Sequence, residues 1–196
     1  DGTPGTFDGG ESYPVINLGQ HITFHSQAYV ASDGGILVSG SGPGFLSSVV
    51  YKVDPTTGTL DSSFGGGDGI AEIALDPDGS EAFLDLAIRD DGKIVVAGGA
   101  SSTFDRDAIW NLNLFESFSI ARFNADGSVD ETFGDFGAKL LDFGPKGQFA
   151  RVEVLSNDKI VAYGTGGTSF SDFQDPTDTT DLYLARFNSN GLLDLT

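Results

Sequence analysis

The sequence has 196 residues, no cysteine and no methionine, and a net charge of −19 at pH 7 because 29 Asp and Glu outnumber 10 Lys and Arg. This charge excludes nucleic acids as partners, because the few cations are scattered and cannot neutralise a row of phosphates. The absence of cysteine excludes disulfides, thiolate metal sites and cysteine nucleophiles. With 16 Phe and 39% hydrophobic residues, the chain can still bury a core.

Two segments recur three times along the chain. The first segment occupies residues 33–40 (DGGILVSG), 91–98 (DGKIVVAG) and 157–164 (NDKIVAYG). The second segment follows each copy of the first, at residues 51–54 (YKVD), 121–124 (ARFN) and 185–188 (ARFN). Repeats of this kind predict a fold built from similar supersecondary units. We therefore divide the chain into three repeats, with limits at 1–53, 54–123 and 124–196.

Each repeat has the pattern of a β structure. In the second repeat, short runs rich in β-branched and aromatic residues are separated by Asp, Gly, Pro and Ser, and they lie at 70–75, 83–88, 93–97 and 118–123. The Asp91-Gly92 step suits a tight hairpin, because Gly readily adopts a positive φ. The sequence therefore predicts four antiparallel strands per repeat and almost no helix.

Four short antiparallel strands repeated in tandem favour an all-β fold made of three four-stranded blades of a β-propeller over a β-solenoid or a β-sandwich. A ring of blades normally needs about four to eight of them. Three blades would leave open edges with unpaired backbone groups. We expect the chain to be an arc, cut between blades, that is closed by further propeller blades or by a second copy of the chain.

Residues 91–98 and 121–134 together resemble the delta-60 repeat family of bacterial proteins. The resemblance covers all three repeats, although residues 52–54 (KVD) replace Arg-Phe-Asn in the first and residues 157–159 (NDK) replace Asp-Gly-Lys in the third. It implies propeller blades in large secreted or surface-associated bacterial proteins. An extracellular or cell-surface location is therefore expected, and the resemblance implies no settled activity.

Oxygen-bearing side chains alternate in the turn after the second ARFN-type segment, and these are Asn124, Asp126, Ser128 and Asp130. Hard cations such as Ca²⁺ bind about six to eight oxygen ligands, so these four residues predict a calcium site. The alternative is that Asn124 and Asp126 shape a turn by bonding the backbone while Asp130 caps the next turn. Weaker equivalents occur in the other repeats, at Asp54 with Asp61 and at Asn188 with Asp194.

Two other groups of potential metal ligands have simpler explanations. A Thr-rich loop carries four acidic residues, at Asp172, Asp175, Asp178 and Asp181, which can wrap an ion or remain solvated. His21 and His25 lie four residues apart on a predicted strand and face the same side. Because no third ligand lies near them in the sequence, a pair of partly exposed histidines is favoured over a metal site.

The repeats differ mainly in the loops that precede their fourth predicted strand. Residues 101–117 and 165–180 are insertions, and variable loops on a regular scaffold often carry binding functions. The first insertion contains an apolar stretch with four candidate partner-contact residues, Trp110, Leu112, Leu114 and Phe115. These side chains form either a contact surface, because aromatic residues anchor interfaces, or a lid that packs on its own blade.

The sequence favours a non-enzymatic structural or interaction module of a bacterial extracellular or cell-surface protein. It contains no Gly-x-Ser-x-Gly motif and no phosphate-binding loop. Expected partners are further blades or a second copy, with other surface proteins or glycans as further candidates. Direct membrane insertion is not expected, because no apolar run approaches the ~20 residues of a spanning helix. The alternative is a secreted carbohydrate-binding or carbohydrate-active propeller with a site on its loop face.

Overall fold

The computed structural model describes residues 5–6, 12–13, 25–43, 46–76, 79–102, 115–144, 146–167 and 180–196. Within these ranges the chain forms β-strands and no α-helix, which confirms the predicted all-β class. None of the described residues belongs to a helix that is long and apolar enough to cross a membrane.

The described strands are short and are joined by turns rich in Gly and Asp. In chain order they are β1 (Gly5–Thr6), β2 (Ser12–Tyr13), β3 (His25–Val30), β4 (Ile36–Ser41), β5 (Ser48–Asp54), β6 (Thr59–Leu60), β7 (Ile70–Ile73), β8 (Ser80–Ile88), β9 (Ile94–Ser101), β10 (Ser117–Phe123), β11 (Ala138–Leu141), β12 (Lys146–Val154), β13 (Ile160–Gly167) and β14 (Thr180–Phe187). The four runs predicted in the second repeat overlap β7, β8, β9 and β10, although Ala74, Leu75 and Lys93 lie outside these strands.

Three antiparallel sheets follow one another along the chain. The first sheet has the order β3-β4-β5, with both β6 and β7 pairing with β5. The second sheet has the order β8-β9-β10-β11, and the third has the order β12-β13-β14. The short strands β1 and β2 pair with each other. Each sheet of the series is therefore built by neighbouring strands that fold back on one another.

The sheets are one strand out of phase with the sequence repeats. Strand β7, which we predicted as the first strand of the second repeat, pairs with β5 of the first sheet, with Tyr51 opposite Ile70. The reason is a glycine-rich turn after Phe64, where Gly65 and Gly69 have φ values of +66° and +82° and reverse the chain. Strand β11 pairs with β10 in the same way, so the sheets cross the limits at 53/54 and 123/124. Structurally, residues 54–73 therefore belong to the first repeat and residues 124–141 to the second.

The sheets stack face to face and bury two apolar clusters between them. The cluster between the first and second sheets includes Leu37, Val50, Phe64, Phe83, Leu86 and Phe123. The cluster between the second and third sheets includes Val95, Phe118, Ile120, Phe149, Val152 and Phe187. Burial of these side chains, at about 1.5–3 kcal/mol for each large one, supplies the main stabilisation of the stack.

Candidate functional site

The turn predicted to bind calcium is held by its own hydrogen bonds. The backbone N–H and the hydroxyl of Ser128 donate to Oδ1 of Asp126, at 2.9 and 2.6 Å. These bonds lower the pKa of Asp126. The N–H of Asn124 also donates to the carbonyl of Ser128 at 2.8 Å, and Gly127 closes the turn with a φ of +85°. This geometry is that of the turn-shaping alternative.

Asp130 follows this turn in the sequence and pairs with two cationic side chains. Its Oδ2 accepts from Nζ of Lys93 at 2.6 Å and from Nε of Arg122 at 2.7 Å. Its Oδ1 accepts from the hydroxyl of Thr132 at 2.6 Å. Burial opposes ionisation, but the bonds from Lys93, Thr132 and Arg122 hold the pKa of Asp130 well below its usual range. The ammonium group of Lys93 and the guanidinium group of Arg122 thus already neutralise the carboxylate that a bound divalent cation would neutralise. Calcium binding at this turn stays a prediction.

The other two repeats contain the same kind of ion pair. In the third repeat, Asp194 accepts from Nζ of Lys159 at 2.5 Å and lies 2.7 Å from Nε of Arg186. In the first repeat, a single lysine, Lys52, lies 3.1 Å from Asp61. Its chain fills the space next to Gly35, where a Cβ would come within 2.6 Å of the Lys52 Cε. The side chain of Lys52 therefore fills the space beside Gly35, the residue equivalent to Lys93.

Arg122 extends from its own repeat to the next one. While Nε binds Asp130, one terminal nitrogen donates to the backbone carbonyl of Ser189 in the third repeat. The guanidinium carbon also lies 4.7 Å from the centre of the Phe133 ring, a cation–π arrangement. The side chain is 7% exposed, so its charge is largely removed from water. Arg122 thus couples the acidic residue of one repeat to the turn of the following repeat.

A Phe-Gly pair docks on the turn of each following repeat. The N–H of Gly65 donates to the carbonyl of Asp126 at 2.8 Å, and the N–H of Gly134 donates to the carbonyl of Asn190 at 2.8 Å. A Cβ on Gly127 would come within 2.9 Å of the Phe64 ring. The turn predicted to bind calcium therefore also contacts the preceding repeat, through the carbonyl of Asp126 and through Gly127.

Two buried carboxylates were not identified from the sequence, and Asp85 is the first. It lies at a bulge in β8 and is 1% exposed. It accepts from the hydroxyl of Tyr29 at 2.6 Å and from the N–H of Val152 at 2.9 Å, so it joins all three sheets. Burial and the bond to Asp85 raise the pKa of Tyr29 well above its usual range. The signal in the sequence was an acidic residue within the apolar run 82–88.

Glu81 is the second buried carboxylate, and it is 1% exposed. Both of its oxygens accept from the N–H of Leu75, at 2.9 and 3.0 Å. Burial raises the pKa of Glu81 to about 8, despite the opposing hydrogen bond. The surroundings of Glu81 therefore favour its protonated form near neutral pH.

The structure describes one of the four predicted contact residues. Phe115 is half-buried and packs on its own sheet, where a Cβ on Gly99 would come within 2.4 Å of its ring. Its carbonyl accepts from the N–H of Gly147 at 2.8 Å. This placement agrees with the packing alternative at Phe115. The other three, Trp110, Leu112 and Leu114, lie outside the described residues, so the contact surface stays a prediction.

Of the remaining predicted groups, Asp181 is exposed, whereas Asp172, Asp175, Asp178 and His21 lie outside the described residues. His25 lies on β3. A cavity of about 320 Å³ lies between β7 and β11, with one carboxylate, Asp135, in its wall. Across the described ranges, no three His, Asp or Glu side chains are grouped so that they could hold a metal ion.

Comparison with known proteins links part of the chain to one family. Residues 89–133 match the family model described as "Domain of unknown function (DUF5122) beta-propeller", a family related to delta-60-type repeats. The matched segment contains β9, β10, the turn and Phe133. No curated protein matches the sequence. The match and the antiparallel sheets together indicate a β-propeller domain of unknown function, while the number of three blades stays a prediction.

Proposed function

We propose that this chain is a non-enzymatic structural and interaction module of a bacterial extracellular or cell-surface protein. In this role it is a propeller-type scaffold that assembles with further repeats of its own kind. The observation that carries the proposal is the bond from Arg122 to the backbone carbonyl of Ser189, which links two successive repeats. The extracellular bacterial setting is supported by the resemblance of the repeats.

The electrostatics of the repeats support a scaffold. Each described repeat pairs an acidic residue with lysine or arginine inside its own structure, at Asp61, Asp130 and Asp194. Carboxylates committed in this way are not free to act as general acids or bases. Among the described residues that line the cavity between β7 and β11, Asp135 is the one carboxylate, whereas glycoside hydrolysis normally needs two that flank the bond.

A substrate screen tests the non-enzymatic role. We expect the purified chain to give no turnover above a heat-denatured control with chromogenic glycosides, esters, phosphomonoesters and peptides. Turnover that is lost in Glu81→Gln but retained in the control Glu72→Gln would contradict the proposal, because Glu81 is the buried carboxyl whose pKa is raised to about 8.

A second candidate function, glycan binding without catalysis, rests on Phe136. This side chain is 86% exposed and borders the cavity between β7 and β11, next to Asp135. An exposed ring beside a carboxylate offers an apolar face and hydrogen-bond acceptors to a sugar. Calorimetric titration with neutral oligosaccharides tests this, and binding should disappear in Phe136→Gly and persist in the control Leu155→Ala. Absence of heat with every oligosaccharide would exclude this second function.

A further inference from the structure

One face of the third sheet presents apolar side chains to solvent. Leu182 and Leu184 of β14 are 73% and 67% exposed, and Tyr163 of β13 is 39% exposed. Leu184 lies directly opposite Tyr163, and Leu182 lies two residues before Leu184, so the three side chains share one face. Exposed apolar patches of this kind commonly mark interaction surfaces.

The corresponding face of the second sheet is buried at the equivalent positions. Ile120 lies opposite Ala97 in the same register, and both residues, like Phe118, have no exposed surface. When the repeats are aligned by their two recurring segments, the equivalent pairs are Val95 with Val161, Ala97 with Tyr163, Phe118 with Leu182 and Ile120 with Leu184. The exposed face of the third sheet is therefore equivalent to the face of the second sheet that packs against its neighbouring sheet.

The side chains that cover this face have a recurring pattern. The third sheet covers the second with Phe149, Val152, Ile160, Ala162, Ala185 and Phe187. The second sheet covers the first with their equivalents, Phe83, Leu86, Ile94, Val96, Ala121 and Phe123. The contact is close, since the rings of Phe118 and Phe149 have centres 4.9 Å apart. The two interfaces within this chain thus show which side chains a sheet needs in order to pack on this face.

The arginine at this position is also buried in the second sheet and more exposed in the third. The side chain of Arg122 is 7% exposed, whereas that of its equivalent Arg186 is 38% exposed. Arg122 donates to a carbonyl of the following repeat, at Ser189. Arg186 instead forms an ion pair with Asp194 and donates to the backbone carbonyl of Thr196, both in its own repeat. A sheet docked on the third one would offer Arg186 the carbonyl that Arg122 already has.

We infer that the open face, formed by Val161, Tyr163, Leu182 and Leu184, is the docking surface for a further sheet of the same repeat. This inference rests on the proposed scaffold function and names its partner. A head-to-tail second copy fits less well, because the matching face of its first sheet is already covered. There Tyr51 and Val53, the equivalents of Ala121 and Phe123, are 1% and 2% exposed.

An extended chain tests the inference. Because Thr196 aligns with Thr132, a copy of residues 133–196 appended after Thr196 continues the repeat and supplies the covering residues. In the original chain, Leu184→Glu should change Tm little, whereas in the extended chain it should lower Tm by more than about 5 °C, because the charge is then buried. Leu155→Glu, on an exposed residue outside this face, is the control and should change Tm little in both chains.

Several results would overturn the inference. One is an unchanged Tm for Leu184→Glu in the extended chain, and another is an appended repeat that shows no hydrogen-exchange protection. A dimeric mass of the original chain by light scattering, converted to a monomeric mass by Leu184→Glu, would identify a second copy as the occupant instead. These results leave the Arg122 contacts and the substrate screen unaffected, so failure here is separable from failure of the scaffold function.

Discussion

Gly127 lies directly beneath the ring of Phe64, a residue of the preceding repeat, and a Cβ at position 127 would come within 2.9 Å of that ring. The same Cβ would lie 2.7 Å from the backbone nitrogen of Gly65. The pair recurs at the next junction, where a Cβ on Gly191 would come within 2.9 Å of the Phe133 ring. Position 127 therefore favours glycine for two reasons: its φ is positive, and a side chain there would clash with Phe64 and Gly65 of the preceding repeat.

Gly127→Ala should lower the free energy of unfolding by about 2–4 kcal/mol, because it combines a strained φ with a steric clash at the junction. Gly66→Ala is a matched control, since Gly66 has a φ of +88° and nothing within 4 Å of its Cβ position. The control should cost only about 1 kcal/mol. Urea unfolding of both variants measures the difference, and equal losses would show that the contact with Phe64 contributes nothing.

Asp130→Asn should lower stability at pH 7 by about 3–5 kcal/mol, because it leaves Lys93 and Arg122 without their shared carboxylate. The pKa of Asp130 is lower in the folded state than in the unfolded state. Its contribution is therefore fully present above about pH 4 and is lost as pH falls toward the folded pKa. Urea unfolding at pH 7 and pH 3 should show a smaller loss on acidification in the variant than in the parent chain. Parallel pH profiles would contradict this assignment.

Glu81→Gln should remove a destabilisation that grows with pH. Burial raises the pKa of Glu81 to about 8 in the folded state. The contribution of Glu81 to the free energy of unfolding is therefore highest below about pH 4 and is lost as pH rises through 8. We expect the Tm of the parent chain to decrease between pH 5 and pH 9 more than that of Glu81→Gln. An equal decrease in both chains would show that Glu81 ionises normally.

Phe136→Asn should raise the free energy of unfolding by about 1 kcal/mol. Phe136 and Gly137 have φ values of +55° and +104° and form the centre of a tight turn between Asp135 and Ala138. Asn and Gly are the residues that favour this conformation, and a bulky ring does not. A variant less stable than the parent in thermal unfolding would show that the exposed ring contributes packing that outweighs the strain.

Calcium and a chelator distinguish the two interpretations of the acidic turn. Since Asp130 is already paired with Lys93 and Arg122, the same Tm in millimolar Ca²⁺ and in EDTA would support the turn-shaping interpretation. A rise in Tm with Ca²⁺ that disappears in Asp126→Asn, but not in the control Asp135→Asn, would instead support a calcium site at this turn.

The local β structure was predictable because its signals are local. The hairpin glycine, Gly92, has the expected positive φ of +81°, and apolar runs mark the strands. The pairing of β7 with β5 was missed, because it depends on how the chain reverses after Phe64. The buried states of Asp85 and Glu81 depend on neighbouring sheets. At the acidic turn, the oxygen pattern is visible in sequence, but Lys93 is brought to Asp130 only by the fold.

Hydrogen-exchange mass spectrometry of Arg122→Ala tests most directly whether the recurring polar residues couple successive repeats. The bond from Arg122 to Ser189 crosses the junction, so the account predicts faster exchange in the third sheet and in the 188–192 turn as well as around Asp130. The variant Lys139→Ala, which breaks an exposed ion pair with Asp135, should leave the third sheet unchanged. Faster exchange confined to the second sheet in Arg122→Ala would contradict the account.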